Sequence, residues 1–181
     1  MNYPFEELCD ARESGALVRA HVVGVAESGA GRVVAVSDKL VLMEIVDSGV
    51  RFDGYAALPI DITWRVEDPC EWHAFIQSAL DVRNLKPTPI DIPVDSWCKL
   101  IEATRRTHPI VRLWAPNVFG SESVYGYVLE VDDLHLRFRP IDSNGVWGEY
   151  DQIMSLSELA RLDFAGDLET MLSALTIDLG I

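Results

Sequence analysis

The chain has 181 residues, 15 Lys+Arg against 29 Asp+Glu, a net charge of −14 and an ordinary globular composition of 49% hydrophobic residues, enough for one compact domain or two small ones. That charge excludes a nucleic-acid binder working through its overall field, because phosphate neutralisation needs clustered Lys and Arg. No apolar run approaches the ~20 residues of a membrane-spanning helix, and three scattered cysteines, Cys9, Cys70 and Cys98, offer no disulfide framework. Taken in chain order, Asn2 can cap a short helix with Pro4 in its first turn and Gly15 as its stop. Five strands are predicted near 16–25, 31–37, 40–46, 51–59 and 61–66. A helix follows, capped by Asp68-Pro69-x-Glu71, with Trp72, Phe75, Ile76, Ala79 and Leu80 as its apolar stripe. Lys86–Pro93 holds too many prolines for a helix or a central strand and reads as a stiff linker. Beyond it, Asp95 or Ser96 caps a helix with Trp97, Leu100, Ile101 and Thr104 on one face. Strands near 109–115, 125–131, 134–140, 146–155 and 158–163 come next, then a helix carrying Leu168, Met171, Leu172 and Leu175.

The order of elements is the same twice, and residues repeat with it. Ala16-Leu17-Val18-Arg19 answers Pro109-Ile110-Val111-Arg112, and Gly31–Asp38 answers Gly126–Asp133. Leu40-Val41-Leu42 answers Leu134-His135-Leu136, the turn Asp47-Ser48-Gly49-Val50 answers Asp142-Ser143-Asn144-Gly145-Val146, and both copies close on Ser-Ala-Leu. Five matched blocks in one order predict an internal duplication: residues 1–86, a linker at 87–94, and residues 95–181. The fold class expected is α+β, mainly β with flanking helices, each copy having a short N-terminal and a C-terminal helix.

A short helix followed by five short, bent strands resembles the Sm-like or SH3-like small barrel. Gly31-x-Val33-x-x-Val36-x-Asp38 looks like the opening of an Sm-type motif. The Asn with which Sm proteins clasp an RNA base has no counterpart in Lys39-Leu40-Val41-Leu42, so RNA binding is not carried over. The closing pattern of each copy resembles uncharacterised bacterial proteins with tandem small barrels, which implies two such barrels here and no transferable activity.

The copies differ on one strand. Leu40–Ile45 is apolar on both faces, whereas its counterpart Leu134–Arg139 alternates. Val41, Met43 and Ile45 therefore need a cover, supplied by the rest of the chain or, as the candidate contact for a homo-oligomer, by a second copy.

Catalytic signatures are missing. Cys70-x-x-His73 is half of a zinc set, with His73 expected at the surface. No glycine-rich strand-to-helix loop and no Gly-x-Ser-x-Gly occurs. No catalytic residue, metal or cofactor is predicted. The acids are more suggestive, since from Asp142 onward eight carboxylates face only Arg161. Trp147, Glu149, Tyr150 and Asp151 follow one hairpin turn, and Phe52, Asp53 and Tyr55 follow its counterpart. With Asp163 they form a candidate docking surface of aromatic anchors and carboxylates; Trp147 and Phe52 equally suit lids over open barrel ends. The function expected is a non-enzymatic acidic module for a basic protein, in the general manner of bacterial immunity or antitoxin proteins that occlude a nuclease-like toxin. The competing reading is a structural or regulatory small barrel that oligomerises through its edges. A nucleic-acid adaptor using the His135-Arg137-Arg139 stripe is weaker. An acidic first turn without an apolar signal core adds the expectation of a cytoplasmic protein.

Overall fold

A computed structural model describes residues 4–26, 29–67 and 71–177. The architecture is mixed α+β: ten strands in one open antiparallel sheet, with a few helices against it. The first half contributes α1 (Phe5–Ser14), β1 (Leu17–Val22), β2 (Ala30–Val36), β3 (Leu40–Val46), β4 (Phe52–Pro59), β5 (Thr63–Glu67) and α2 (Glu71–Val82). The second contributes α3 (Trp97–Thr104), β6 (Ile110–Trp114), the one-turn α4 (Pro116–Phe119), β7 (Ser123–Val131), β8 (His135–Ile141), β9 (Gln152–Ser155), β10 (Arg161–Phe164) and α5 (Asp167–Ile177). Helix α1 ends as its sequence implies, at Gly15 with φ 67°. The cap on α3 is Ser96, whose hydroxyl accepts from the Lys99 N–H at 3.3 Å. The caps proposed at Asn2 and Asp68 lie outside the described residues.

Strand order across the sheet is β5-β1-β2-β3-β4-β10-β6-β7-β8-β9. Each half therefore lays its strands in one order, and the halves join where β4 pairs with β10 through Leu162↔Ala57, Asp163↔Ala56 and Phe164↔Tyr55. Two separate closed barrels are not what the hydrogen bonding describes; the ladder runs through a single open sheet. Registers repeat as well. Val33 pairs with Met43 and Val128 with Phe138, while Gly31 pairs with Ile45 and Gly126 with Pro140, every residue 95 positions before its counterpart. Both hairpins shift register just after this valine, before Ala35 and before Glu130.

This register corrects the matching of the third strands by one residue. Leu40, Val41 and Leu42 correspond to His135, Leu136 and Arg137, not to residues 134–136, and a slip of one exchanges the two faces of a strand. Val41 and Met43 are thus the ordinary core face, equivalent to Leu136 and Phe138, and α1 packs on them through Leu8 and Ala11. The extra apolar face is Leu40 and Leu42, and the core of the second half covers it, with Leu100 and Ile101 of α3 beside Leu113, Leu136, Phe138 and Leu162. Burying these two leucines contributes about 3–6 kcal/mol. Strand β3 lies between β2 and β4 and its residues Leu40–Glu44 are at most 2% exposed, so it presents nothing to a second copy.

Helices α2 and α5 close equivalent ends. Ile76 and Leu80 pack on Leu17, Ala30 and Val46 with Phe52 at the margin. Leu172 packs on Ile110 and Ile141 with Trp147 and Leu168 at the margin. Helix α2 is rotated from its expected stripe: His73 is buried, and Phe75, placed in the stripe by the sequence, is 58% exposed. His73, Ile76 and Leu80 share a face at helical spacing. Met171 and Leu175, assigned to the α5 stripe, are also exposed.

Candidate functional site

The residues singled out as a docking surface divide: Asp53, Tyr55 and Asp163 line one cavity at the β4·β10 junction, and the others are not part of it. Asp163 is buried at the β4·β10 junction, where it accepts from the Trp114 indole N–H at 2.9 Å and from Arg161 Nε at 2.6 Å. Tyr55 is buried beside it in the sheet, stacked on Phe164 at 5.3 Å with its hydroxyl donating to the Thr88 carbonyl. Asp53 accepts from the Asp167 backbone N–H at 2.7 Å and so caps α5. Phe52 lies under Arg32, and Trp147 meets Tyr127 edge to face at 6.2 Å, both as lids. Asp151 is paired to Arg139. Only Glu149 and Tyr150 stand free on the surface, Tyr150 at 74% exposure.

The basic stripe is likewise accounted for. His135 lies 3.7 Å from Asp132, Arg137 3.6 Å from Glu130 and Arg139 2.6 Å from Asp151. A stripe whose two arginines each lie beside a carboxylate offers a phosphate backbone little net attraction.

Carboxylates do converge elsewhere. Asp38 from the β2–β3 turn, Asp61 from the β4–β5 turn, Asp95 from the start of α3 and Asp133 from the β7–β8 turn all line one groove of about 470 Å³. Its floor includes Leu40, Pro59 and Leu159, with half-buried Trp97 on the wall. Lys39 sits 3.8 Å from Asp38 and Lys99 3.4 Å from Asp95, while Asp61 and Asp133 have no ion-pair partner among the described residues. Each acid sits in a turn or at a helix start, where short polar side chains are common. The topology then brings four such turns together, because the β4·β10 junction sets the two halves side by side. Sequence reading missed the groove because its acids are far apart in the chain and each looks like ordinary turn chemistry.

Cys98 also lines the groove. Burial first, then Asp133 and Glu102, push its thiol above the ordinary cysteine value, so it stays protonated at neutral pH and is a poor nucleophile. Among the described residues no three His, Cys, Asp or Glu side chains are placed to hold a metal ion; Cys70 lies outside them. Among the described residues no helix is long and apolar enough to cross a membrane. No family model, curated protein or solved structure matches the chain.

Proposed function

We propose that the chain is a non-enzymatic binding module whose acidic groove takes a basic segment of another protein. The observation that carries this reading is the convergence of Asp38, Asp61, Asp95 and Asp133 on one apolar-floored groove with Trp97 at its side. Carboxylates around a dry floor give electrostatic steering and orientation, and an aromatic wall supplies the contact area that holds a bound side chain. Occlusion is the mode of action: a basic protein held here has its cationic surface filled by carboxylates in place of phosphates, as an immunity or antitoxin protein would do to a nuclease-like toxin. A duplicated small-barrel unit is the evolutionary frame we infer, supported by the repeated strand order and by registers that recur at constant spacing.

The test is anisotropy of a labelled decapeptide alternating Lys and Leu, titrated with the protein at low and raised salt. Binding should weaken with salt and vanish when Asp61 and Asp133 become Lys. It should survive Glu149→Lys, which changes an exposed acid outside the groove. Binding that ignores salt, or that Asp61→Lys and Asp133→Lys leave unchanged, would sink the reading.

A further inference from the structure

A second cavity lies beneath the linker. It measures about 540 Å³ and is bounded by β3 and β4, by linker residues 88–92, by α3 and by the turn after β10. That volume is in the usual range for a small-molecule site. Glu44, on β3, lines it and is 2% exposed. Its Oε1 accepts from the Thr88 backbone N–H at 2.9 Å, but its Oε2 is buried without any hydrogen-bond donor. A buried carboxylate oxygen left this way is costly unless something donates to it.

The other polar groups in the cavity do not supply that donor. The Tyr55 hydroxyl is spent on the Thr88 carbonyl at 2.7 Å. Burial and the charge of Glu44 push Tyr55 up to about 12, so it remains neutral. Burial holds His108 below the ordinary histidine value, so it too is neutral at pH 7. Asp91 adds a second carboxylate. Burial raises the Glu44 carboxyl above its usual value, against the Thr88 N–H and Arg32, which lower it; Arg32, opposite Glu44 on β2, donates to Gln77 at 2.8 Å and stacks over Phe52. Among the described residues no Lys or Arg lines the cavity. What remains is a carboxyl oxygen without a donor among the described residues, in a wall of Tyr55, Ile90, Ile92 and Ala103.

We propose that this cavity binds an organic ammonium ion, which donates to Glu44 Oε2 and lays its apolar body against Tyr55 and Ile90. A cation is favoured over a neutral donor because two carboxyl groups and, among the described residues, no Lys or Arg line the cavity, and a charge-assisted bond is the stronger. Apolar walls select an ammonium on a hydrocarbon stem over a bare ion. A free amine and the side chain of a lysine both present that chemistry. The site shares no lining residue with the acidic groove, so the inference does not rest on the function proposed above.

Ligand-observed NMR with three probes tests it: benzylamine, Nα-acetyl-lysinamide, and benzyl alcohol as the uncharged match. Wild type should bind benzylamine or the capped lysine, the stronger of the two identifying the source, and not benzyl alcohol. Glu44→Gln keeps the shape and removes the charge, and should weaken binding at least about tenfold. Ala103→Phe on α3 fills the cavity from the far wall and should abolish binding with Glu44 untouched, which decides the matter if the first variant fails to fold by circular dichroism. Failure of both amines to bind wild type, equal binding of benzyl alcohol, or unchanged binding in folded Glu44→Gln or Ala103→Phe would each overturn the proposal.

Discussion

Trp114 donates its indole N–H to Asp163 at 2.9 Å across β6 and β10, and in the first half His21 Nε2 lies 3.0 Å from Glu67 across β1 and β5. The two pairs occupy one place in the repeated register, since Arg112 is paired with Asp163 and Arg19 with Glu67. Arg161 and Arg65 then stand as a third matched member, 2.6 Å and 3.4 Å from their acids. One cluster is buried at the junction between the halves; the other lies on the free edge of the sheet.

That difference in burial should set their worth. Asp163→Asn removes the buried carboxylate charge to which Arg161 Nε and the Trp114 indole donate and should cost about 3–5 kcal/mol. Glu67→Gln removes a carboxylate that water can replace and should cost less than about 1 kcal/mol. Urea denaturation of the two variants checks this, and equal losses would mean that the cover provided by β4 is not what distinguishes them.

The outer faces of β3 and β8 predict the state of association. Leu40, Leu42 and Ala57 on the first half meet the second half, and their counterparts His135, Arg137 and Ile153 line the far end of the sheet. A face that repeats the junction with His and Arg in place of leucines does not recruit another copy, so the chain should sediment as a monomer. Replacing His135 and Arg137 with Leu, at 52% and 46% side-chain exposure, should leave stability within about 0.5 kcal/mol and produce concentration-dependent association. Leu42→Arg, the reverse change at a fully buried site, should unfold the protein. A monomer after the double leucine change would show that the apolar character of this face is not what holds the junction.

Much of this was legible in the residues. Helix α3 could be read from Ser96 and its apolar face because capping and 3.6-residue periodicity are local, and the repeated order of strands from blocks that kept their order. The junction was not legible. Nothing in Asp163 distinguishes it from the seven other acids after residue 141, since its burial comes from β4, about a hundred residues away. The third strands were mismatched because Leu-x-Leu occurs at both 40–42 and 134–136, and only the ladder decides the face. Glu44 did carry a signal, being the lone acid in the apolar run Leu40–Val46. Its meaning depended on the linker, whose Thr88 reaches it across the sheet.

The aromatic residues near the second hairpin should separate by burial. Trp147 packs on Tyr127 and the Ile110–Ile141–Leu172 cluster, so Trp147→Ala should lower stability by about 2–4 kcal/mol, less than a fully buried tryptophan. Tyr150→Ala should change it by no more than about 0.5 kcal/mol. Thermal unfolding of the two variants is sufficient, and a larger loss for Tyr150 would mean that the lid is assigned to the wrong ring.

Glu169 makes stability depend on pH in a defined direction. It is 8% exposed in the first turn of α5. Burial, then Asp163 and Asp53, raise its carboxyl above the ordinary value of 4.5, against its own backbone N–H and Arg112, which lower it. The folded protein therefore keeps this proton at pH values where the unfolded chain has lost it. Stability from this group is fully present below the unfolded value and is lost as pH rises through the folded one. Glu169→Gln carries no such proton, so its stability minus that of wild type should grow from pH 4.5 toward neutrality. Because every other carboxylate is common to both proteins, the difference isolates Glu169. A difference that stays flat or shrinks over this range would show that the carboxyl ionises in the folded protein as readily as in the unfolded chain.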